Sequence, residues 1–451
     1  MRFVIFGTGK MYQENKLNIR KDAEIVAFID NMPDKWGQEI DGIKVYAPEE
    51  LNHLDYDVIF IMSIHWLDMQ QQLRSIGIPK DKIYTLDNHI EILCERENVQ
   101  YYGKISVETS GGKVLVFSHA MTSTGAQNVL FYAVDAMKRM GYQIVIVSKS
   151  DGVLRERLVG IGIPVVIIRD IYSRRAEIEH LIMWADVLFV NTLLLYDTVM
   201  EVSNYNKKLI WWIHETGIIK YLEDFRYIVS KEHVSVYVVS PLVKRLLQQA
   251  FGEDLRLKEM IYGLPYYEIT KRTEREKMIF AIIGWIDYTK GQDIFLDAVD
   301  RLPAYIRRKT EFWIVGAGKF ARDEMEIIKK YSCIKLVGEV ENAQMSEIYK
   351  NIDVVVCASR AEAMSVAVTE GCMTEKLVIV SNAAGITEFI KHKETGLIFE
   401  SGNANELAAW IEWAVVHREE AEKIGIASKV IYENNFSMEL FEKNIVEAVQ
   451  Q

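Results

Sequence analysis

The chain has 451 residues, of which 49% are hydrophobic and 26% charged, and this composition excludes a disordered protein and predicts more than one globular core. The formal net charge is −11, and only residues 101–275 are net basic, which argues against broad nucleic-acid binding. No apolar run reaches the roughly 18 residues that span a bilayer, and the N-terminus lacks a signal-peptide pattern, so a cytoplasmic protein is predicted.

Residues 1–100 predict a small α/β domain at the start of the chain. Its first strand ends in Gly7-Thr8-Gly9, and its second strand ends at Asp30. Glycines after a strand, followed about twenty positions later by an acidic residue, are typical of a Rossmann dinucleotide site. The third glycine is missing, because Tyr12 occupies the place where a small residue would let the helix pack closely. Nucleotide binding and a structural or regulatory role both stay open for this domain.

Residues 111–270 predict a second α/β unit. Its first strand leads into a loop in which Gly125 opens a long helix, and further strands then alternate with helical segments. This alternation predicts a parallel sheet, in which ligands bind at the carboxyl ends of the strands. His214 follows the apolar run 209–213 and therefore lies at such an end, where a neutral imidazole can hydrogen-bond a sugar hydroxyl. A purely structural histidine is the alternative.

Residues 276–436 predict a third α/β unit, which follows a charged linker. Lys290 comes after the first strand of this unit, beside a glycine turn, where an ammonium group can contact a phosphate as a point charge. Two further strands end at Gly316 and Gly338, and Val340 follows the second. Glycine at these places lets backbone approach a flat base or a ribose.

Two carboxylates mark the strongest candidate site. Glu362 lies in the loop that follows the apolar run 353–357, and Glu370 lies eight positions later on a helix that is predicted to begin near Ser365. A rise of ~1.5 Å per residue places Glu370 roughly 7 to 8 Å along that helix. The unpaired N–H groups and the dipole at the helix start favour a phosphate between the two carboxylates. A sugar–diphosphate–ribose ligand would require this arrangement. An ordinary acidic pair on a solvated helix is the alternative.

The spacing of Glu362 and Glu370 resembles the signature of the retaining glycosyltransferases of family 4, which have the GT-B fold. The resemblance covers residues 113–451 and includes the strand-end glycines, the pair His214-Glu215 and Lys290. It implies an α/β GT-B fold, in which two Rossmann-like domains face a cleft, preceded here by an additional N-terminal Rossmann-like domain. Helix 437–451 is expected to pack back on the first GT-B domain.

The resemblance also implies roles for individual residues. Glu370 would hold the ribose hydroxyls, Glu362 and His214 would contact the donor sugar, and Lys290 with nearby backbone N–H groups would stabilise the departing diphosphate. The implied catalytic residues are His214, Glu362 and Lys290, and the implied nucleotide contacts are Gly125, Lys290, Gly316, Gly338, Val340, Ser365, Val366 and Glu370. The arginine that this family places before the lysine is absent, because Trp285 stands there, and Arg360 is a candidate substitute.

The implied function is transfer of a sugar, with retention, from a nucleotide sugar to an acceptor hydroxyl. A UDP-sugar is the favoured donor, no cofactor or metal is required, and the acceptor would be a glycan, a lipid-linked molecule or a protein in bacterial surface-glycan or glycoconjugate biosynthesis. The amphipathic segment 241–247 suggests peripheral contact with the inner face of the membrane, or else a core-packed helix. An inactive accessory subunit and a nucleotide-dependent oxidoreductase that uses residues 1–100 are the alternatives.

Overall fold

The computed structural model describes residues 1–16, 19–20, 22–63, 65–85, 99–105, 111–169, 171, 174–217, 219, 222, 224–269 and 276–450. These residues form three helix-flanked sheets of six, eight and six strands, so the predicted α/β class is confirmed. The predicted linker lies largely outside the described residues. None of the described helices has the length and apolar character needed to cross a bilayer.

The first sheet has the order β3-β4-β2-β1-β5-β6, and only the β3–β4 pair is antiparallel. Its elements are β1 Arg2–Phe6, α1 Lys10–Asn15, β2 Glu24–Ile29, β3 Glu39–Ile40, β4 Ile43–Tyr46, β5 Val58–Ile61, α2 Trp66–Ser75 and β6 Ile83–Thr85. Apolar clusters cover both faces of this sheet, which explains the continuous hydrophobic runs of its strands.

The dinucleotide-like elements of this first domain are already engaged with one another. Tyr12 fills the core against Phe28, with ring centroids 4.8 Å apart, where the fingerprint would have a glycine. Asp30 accepts hydrogen bonds from the backbone N–H of Thr8 at 3.2 Å and from Lys35 at 2.8 Å. The carboxylate that would bind a ribose in a dinucleotide site is therefore occupied by side chains of its own domain.

The second sheet has the order β14-β13-β12-β11-β8-β9-β10-β7. Its elements are β7 Gln100–Tyr102, β8 Lys113–Ser118, α3 Gly125–Arg139, β9 Gln143–Ser148, α4 Val153–Gly160, β10 Val165–Ile167, α5 Arg175–Trp184, β11 Val187–Asn191, α6 Tyr196–Val202, β12 Lys208–Ile213, α7 Phe225–Val229, β13 Val234–Val238, α8 Pro241–Phe251 and β14 Leu257–Glu259. Strand β7 pairs antiparallel with β10, so this sheet already includes residues that precede the predicted start at 111. The amphipathic segment 241–247 forms the start of α8, which buries Val243 and Leu247.

The third sheet is entirely parallel and has the order β17-β16-β15-β18-β19-β20. Its elements, with the helices that follow it, are β15 Met278–Ile283, α9 Gln292–Arg301, α10 Ala304–Arg308, β16 Thr310–Val315, α11 Arg322–Lys330, β17 Ile334–Gly338, α12 Met345–Asn351, β18 Val354–Cys357, α13 Val366–Met373, β19 Leu377–Ser381, β20 Leu397–Phe399, α14 Ala404–Val416, α15 Arg418–Asn435 and α16 Met438–Gln450. The strand order changes direction between β15 and β18, and this switch point is where open α/β sheets bind ligands.

The C-terminal helix α16 leaves the third sheet and packs on the second domain. Phe441 lies against Trp212, with ring centroids 5.7 Å apart. Arg139 pairs with Glu442 at 2.6 Å, and the Lys208 ammonium donates to the Val449 carbonyl at 2.7 Å. The chain thereby connects its two larger domains a second time.

Candidate active site at the interdomain cleft

The carboxyl ends of the second and third sheets face each other. Gly125 begins α3, and a Cβ atom at this position would lie 3.6 Å from Val366 at the start of α13. Ser240 follows β13, and its hydroxyl would lie 3.0 Å from a Cβ atom at Gly385, which follows β19. The turn between β18 and α13 is therefore enclosed by elements of both domains.

That turn carries the two-carboxylate stretch. Ser365 is the N-cap of α13, and its Oγ accepts a hydrogen bond from the Val368 N–H at 3.3 Å. Helix α13 has apolar and small residues because it is packed between β18, β19 and α15, which buries it almost completely. The backbone carbonyl of Glu362 accepts from Gly385 N–H at 2.9 Å, so the loop before the helix is fixed to the neighbouring strand end.

Lys290 and Glu362 form an ion pair at this turn. The Lys290 side chain is about one-third exposed, whereas Glu362 is largely buried and also accepts from the Ser359 hydroxyl at 3.3 Å. Burial lowers the pKa of Lys290, but the Glu362 carboxylate outweighs it and the pKa is raised overall. Lys290 is therefore a persistent positive charge beside the start of α13, where it can contact a diphosphate.

Glu370 lies one turn along α13 and is buried, with 9% of its surface exposed. Burial raises the pKa of its carboxyl group to about 7, and the neighbouring Tyr349 hydroxyl opposes this effect. Glu362 and Glu370 therefore differ in environment although they belong to one short stretch. The first is paired with a cation, and the second lies among tyrosines.

His214 follows β12 and packs against Trp212, with ring centroids 4.3 Å apart and the ring planes tilted by 58°. Its Nε2 lies 2.9 Å from the Asn191 Oδ1 atom at the end of β11. Burial lowers the pKa of His214 to about 3, and His119 adds a smaller effect in the same direction. The imidazole is thus neutral near pH 7, in the state that was predicted to hydrogen-bond a sugar hydroxyl.

A buried polar network surrounds His214 and was not predicted from the sequence. His119 after β8 contacts the Thr192 hydroxyl at 3.3 Å and the Gln127 amide at 3.0 Å. Glu215 accepts from the Leu193 N–H at 2.7 Å, and burial raises its pKa to about 7. The φ angle of Thr192 is +85°, a strained conformation for a β-branched residue and one that clusters at functional sites. Apart from Gln127 on α3, each of these residues follows a strand, but nothing in the sequence indicates that the strand ends converge.

Backbone packing by itself explains why a strand of the third sheet ends in glycine. Gly316 has a φ angle of +143°, and a Cβ atom there would lie 1.9 Å from the carbonyl oxygen of Gly284. Its N–H donates to the Gly338 carbonyl at 2.8 Å, and Val340, two residues beyond, is partly buried. Gly316 is thus required by the approach of neighbouring backbone, whether or not a base also lies there.

The structure also shows the surroundings of Trp285, which stands at the family's arginine position, and of Arg360, the candidate substitute. Trp285 is 57% exposed at the end of β15. Arg360 donates to Asp293 Oδ1 at 2.8 Å and to the Tyr288 carbonyl at 2.7 Å, and it stacks on the Tyr288 ring at 3.9 Å. Both terminal nitrogens of Arg360 are therefore already engaged by Asp293 and the Tyr288 carbonyl, which makes it a poor substitute for a phosphate-binding arginine. No cluster of three potential metal ligands occurs in the part of the chain that the structure describes.

Comparison with known families assigns both large domains. Residues 110–236 match the model described as glycosyl-transferase family 4, and residues 268–430 match the model described as glycosyl transferases group 1. The chain belongs to the family 4 glycosyltransferases with the GT-B fold. The N-terminal part of this family 4 glycosyltransferase, residues 1–84, matches a separate model described as C2185-like, N-terminal.

Similar proteins carry related names. The chain is 23% identical over 184 residues to sulfoquinovosyl transferase SQD2 of Arabidopsis thaliana, and the match covers 40% of this chain and 34% of that protein. It is 28% identical over 230 residues to an uncharacterized glycosyltransferase of Methanocaldococcus jannaschii, which covers 44% and 57% respectively. The chain therefore spans between one-third and three-fifths of the length of these relatives.

The fold of this glycosyltransferase is also that of solved structures. Anabaena HepE, solved in complex with UDP and glucose, superposes with a TM-score of 0.64 at 17% sequence identity, over 75% of this chain and all of that chain. At this identity the likeness shows the fold alone, and it confirms the GT-B architecture that the sequence predicted.

Proposed function

We propose that this glycosyltransferase moves a sugar from a nucleotide-sugar donor to an acceptor hydroxyl, with retention at the anomeric carbon. The observation that carries the proposal is the arrangement around α13. The Lys290–Glu362 pair lies before its capped N-terminus, Glu370 lies one turn along it, and the N-terminus opens toward the facing domain. A diphosphate between two sugar-like rings fits this order of charges.

Each group has a defined task in the proposed reaction. Glu370 accepts hydrogen bonds from the ribose, while Glu362 and neutral His214 hold hydroxyls of the donor sugar. Lys290 and the N–H groups at Ser365 and Val366 stabilise the negative charge that develops on the diphosphate as its bond to the anomeric carbon breaks. The acceptor oxygen bonds to that carbon on the same face, and its proton passes to the departing phosphate oxygen.

We favour a UDP-sugar as donor, a choice supported by the UDP and glucose bound to HepE. The acceptor would be a glycan, a lipid-linked molecule or a protein in bacterial surface-glycan or glycoconjugate biosynthesis. Neither a metal nor a cofactor has a role in this scheme. We propose that the reaction takes place in the cytoplasm or at the inner face of the membrane.

The test is incubation of the protein with UDP-, GDP- and ADP-sugars and a panel of acceptors, with products followed by NMR. We expect transfer from one donor class, an anomeric configuration equal to that of the donor, and unchanged rates after chelation with EDTA. Inverted product would refute the retaining mechanism. Loss of activity with EDTA, restored by a divalent cation, would refute metal independence.

A catalytically inactive accessory subunit is the second candidate. It is favoured by the exposed Trp285 at the family's arginine position and by the pairing of Arg360 with Asp293. This alternative predicts tight binding of a nucleotide sugar without transfer or hydrolysis under any acceptor condition. For the oxidoreductase alternative, titration with NADH is the direct test, and the occupied Asp30 carboxylate predicts no binding.

A further inference from the structure

The tyrosine hydroxyl groups around Glu370 differ in whether they have hydrogen-bond partners. Of the four tyrosines that surround this carboxylate, two have hydrogen-bond partners on α13. The Tyr349 hydroxyl donates to the Ala367 carbonyl at 3.0 Å, and the Tyr262 hydroxyl lies 3.1 Å from the Thr369 hydroxyl. Both are anchored to the same helix that carries Glu370 and form a fixed wall of the pocket.

The other two tyrosines belong to the opposite side of the cleft, and each retains an unused proton. The Tyr267 hydroxyl, after β14, is out of reach of solvent and makes no hydrogen bond with any described residue. The Tyr132 hydroxyl, on α3, accepts from the Asn342 amide at 3.5 Å, and no described group accepts its proton. A buried, unpaired hydroxyl destabilises the folded protein, so a ligand that accepts from it is the simplest physical reason to retain it.

Glu370 lies close to both hydroxyls without bonding to them. Burial is the main cause of the raised pKa of Tyr132 and Tyr267, and the nearby Glu370 charge raises both further. The Tyr267 ring lies 6.5 Å from the Tyr349 ring, so it packs against the wall beside Glu370, and no hydrogen bond joins Glu370 to the Tyr132 or Tyr267 hydroxyl. A hydroxyl group can accept from a tyrosine and donate to a carboxylate at the same time, and a vicinal diol can do so twice.

We propose that Tyr132 and Tyr267 are specificity-determining residues that, together with Glu370, read the 2′,3′-diol of the donor ribose. This inference rests on the proposed function. Tyr132 also contacts Asn342 in the turn after β17, so the second domain closes over the nucleoside end of the donor as well as over its phosphates. The enclosed position of the Tyr267 hydroxyl means that the donor enters when the two domains separate.

The test compares UDP with its deoxy form 2′,3′-dideoxy-UDP, which lacks both hydroxyls of the diol, by calorimetric titration, with the GDP and ADP pairs run alongside. For the pair that the wild-type protein binds, we expect the ribonucleotide to bind about tenfold more tightly than its deoxy form. Tyr267→Phe and Tyr132→Phe should each weaken ribonucleotide binding about three- to tenfold and leave deoxynucleotide binding unchanged. Tyr227→Phe, an exposed tyrosine on α7, is the matched control and should keep the wild-type ratio.

The melting temperature of the ligand-free variants separates a ligand contact from a structural role. Because Tyr267→Phe removes an unpaired buried hydroxyl, its melting temperature should equal or exceed that of the wild-type protein. An unchanged ratio of the two affinities in both variants would overturn the inference, and so would an equal loss for ribo- and deoxynucleotide. Failure of the wild-type protein to bind any of the three ribonucleotides would overturn the proposed function first, before any variant is compared.

Discussion

The two carboxylates of the site have the same chemistry and different surroundings. Glu362 is paired with Lys290, so its position is tied to a cation. Glu370 is buried among hydroxyls, and burial raises the pKa of its carboxyl group. Their separate contacts suggest that loss of each side chain affects a different step.

We expect Glu362→Gln to lower turnover about a hundredfold while donor affinity changes little, because the variant disturbs the Lys290 charge at the reacting end of the donor. Glu370→Gln should instead weaken nucleotide binding about tenfold. Steady-state kinetics and calorimetry measure the two effects. Glu375→Gln is the control, since Glu375 pairs with Lys429 at 2.9 Å beyond the other end of α13. Equal binding and turnover in all three variants would contradict the site.

Glu370 should also make stability depend on pH. Its folded-state pKa of about 7 lies above the ordinary value of 4.5, so its contribution to stability is fully present below pH 4.5 and is lost as the pH rises through 7. This difference corresponds to about 3 kcal/mol. Chemical denaturation at pH 5 and pH 8 should therefore show a smaller loss of unfolding free energy in Glu370→Gln than in the wild-type protein. Glu215→Gln, whose pKa is raised to the same value, should flatten the profile by a comparable amount, and identical profiles would refute both shifts.

At the level of single elements, the start of α13 is held by its cap. Ser365→Ala should cost about 1 kcal/mol, because the Val368 N–H loses its partner, and it should also weaken nucleotide binding because that helix start faces the phosphates. Asn403→Ala is a matched control, since the Asn403 side chain caps α14 through the Glu406 N–H at 3.1 Å. Denaturation and UDP titration should show equal losses of stability and a loss of affinity for Ser365→Ala alone.

Local patterns of sequence predicted these elements well. Apolar runs located the central strands of all three sheets but not β3, β4, β6, β7, β13 or β14. The change from a strand to a helix around Ser365 followed from periodicity and capping preference. What local patterns could not supply are contacts between distant strand ends. Asn191 beside His214, and Tyr267 facing Glu370, are separated in the chain and meet only after folding, so no spacing identifies them.

Across the whole molecule, α16 connects the two larger domains. Phe441→Ala should destabilise the protein by about 3–5 kcal/mol, because it empties a buried site against Trp212 without touching the proposed donor site. Thermal denaturation should show this loss, and saturating UDP should still raise the melting temperature. A variant of wild-type stability would mean that α16 is a loosely attached tail.

Removal of the N-terminal domain tests whether it takes part in the site. Strand β7 pairs with β10 of the second sheet, so the cut belongs before residue 99 and not at residue 100. The truncated chain 99–451 should bind UDP with wild-type affinity, because its two sheets and α16 remain complete. Lost binding in a chain that still melts cooperatively would show that residues 1–98 contribute to the site.

The central claim is that the turn between β18 and α13 holds a nucleotide sugar, and a crystal structure of the protein with UDP tests it most directly. We predict the diphosphate between Lys290 and the Ser365–Val366 backbone, with the ribose hydroxyls on Glu370. UDP bound instead beside Gly7 and Asp30 in the N-terminal domain, with the interdomain cleft empty, would contradict the account.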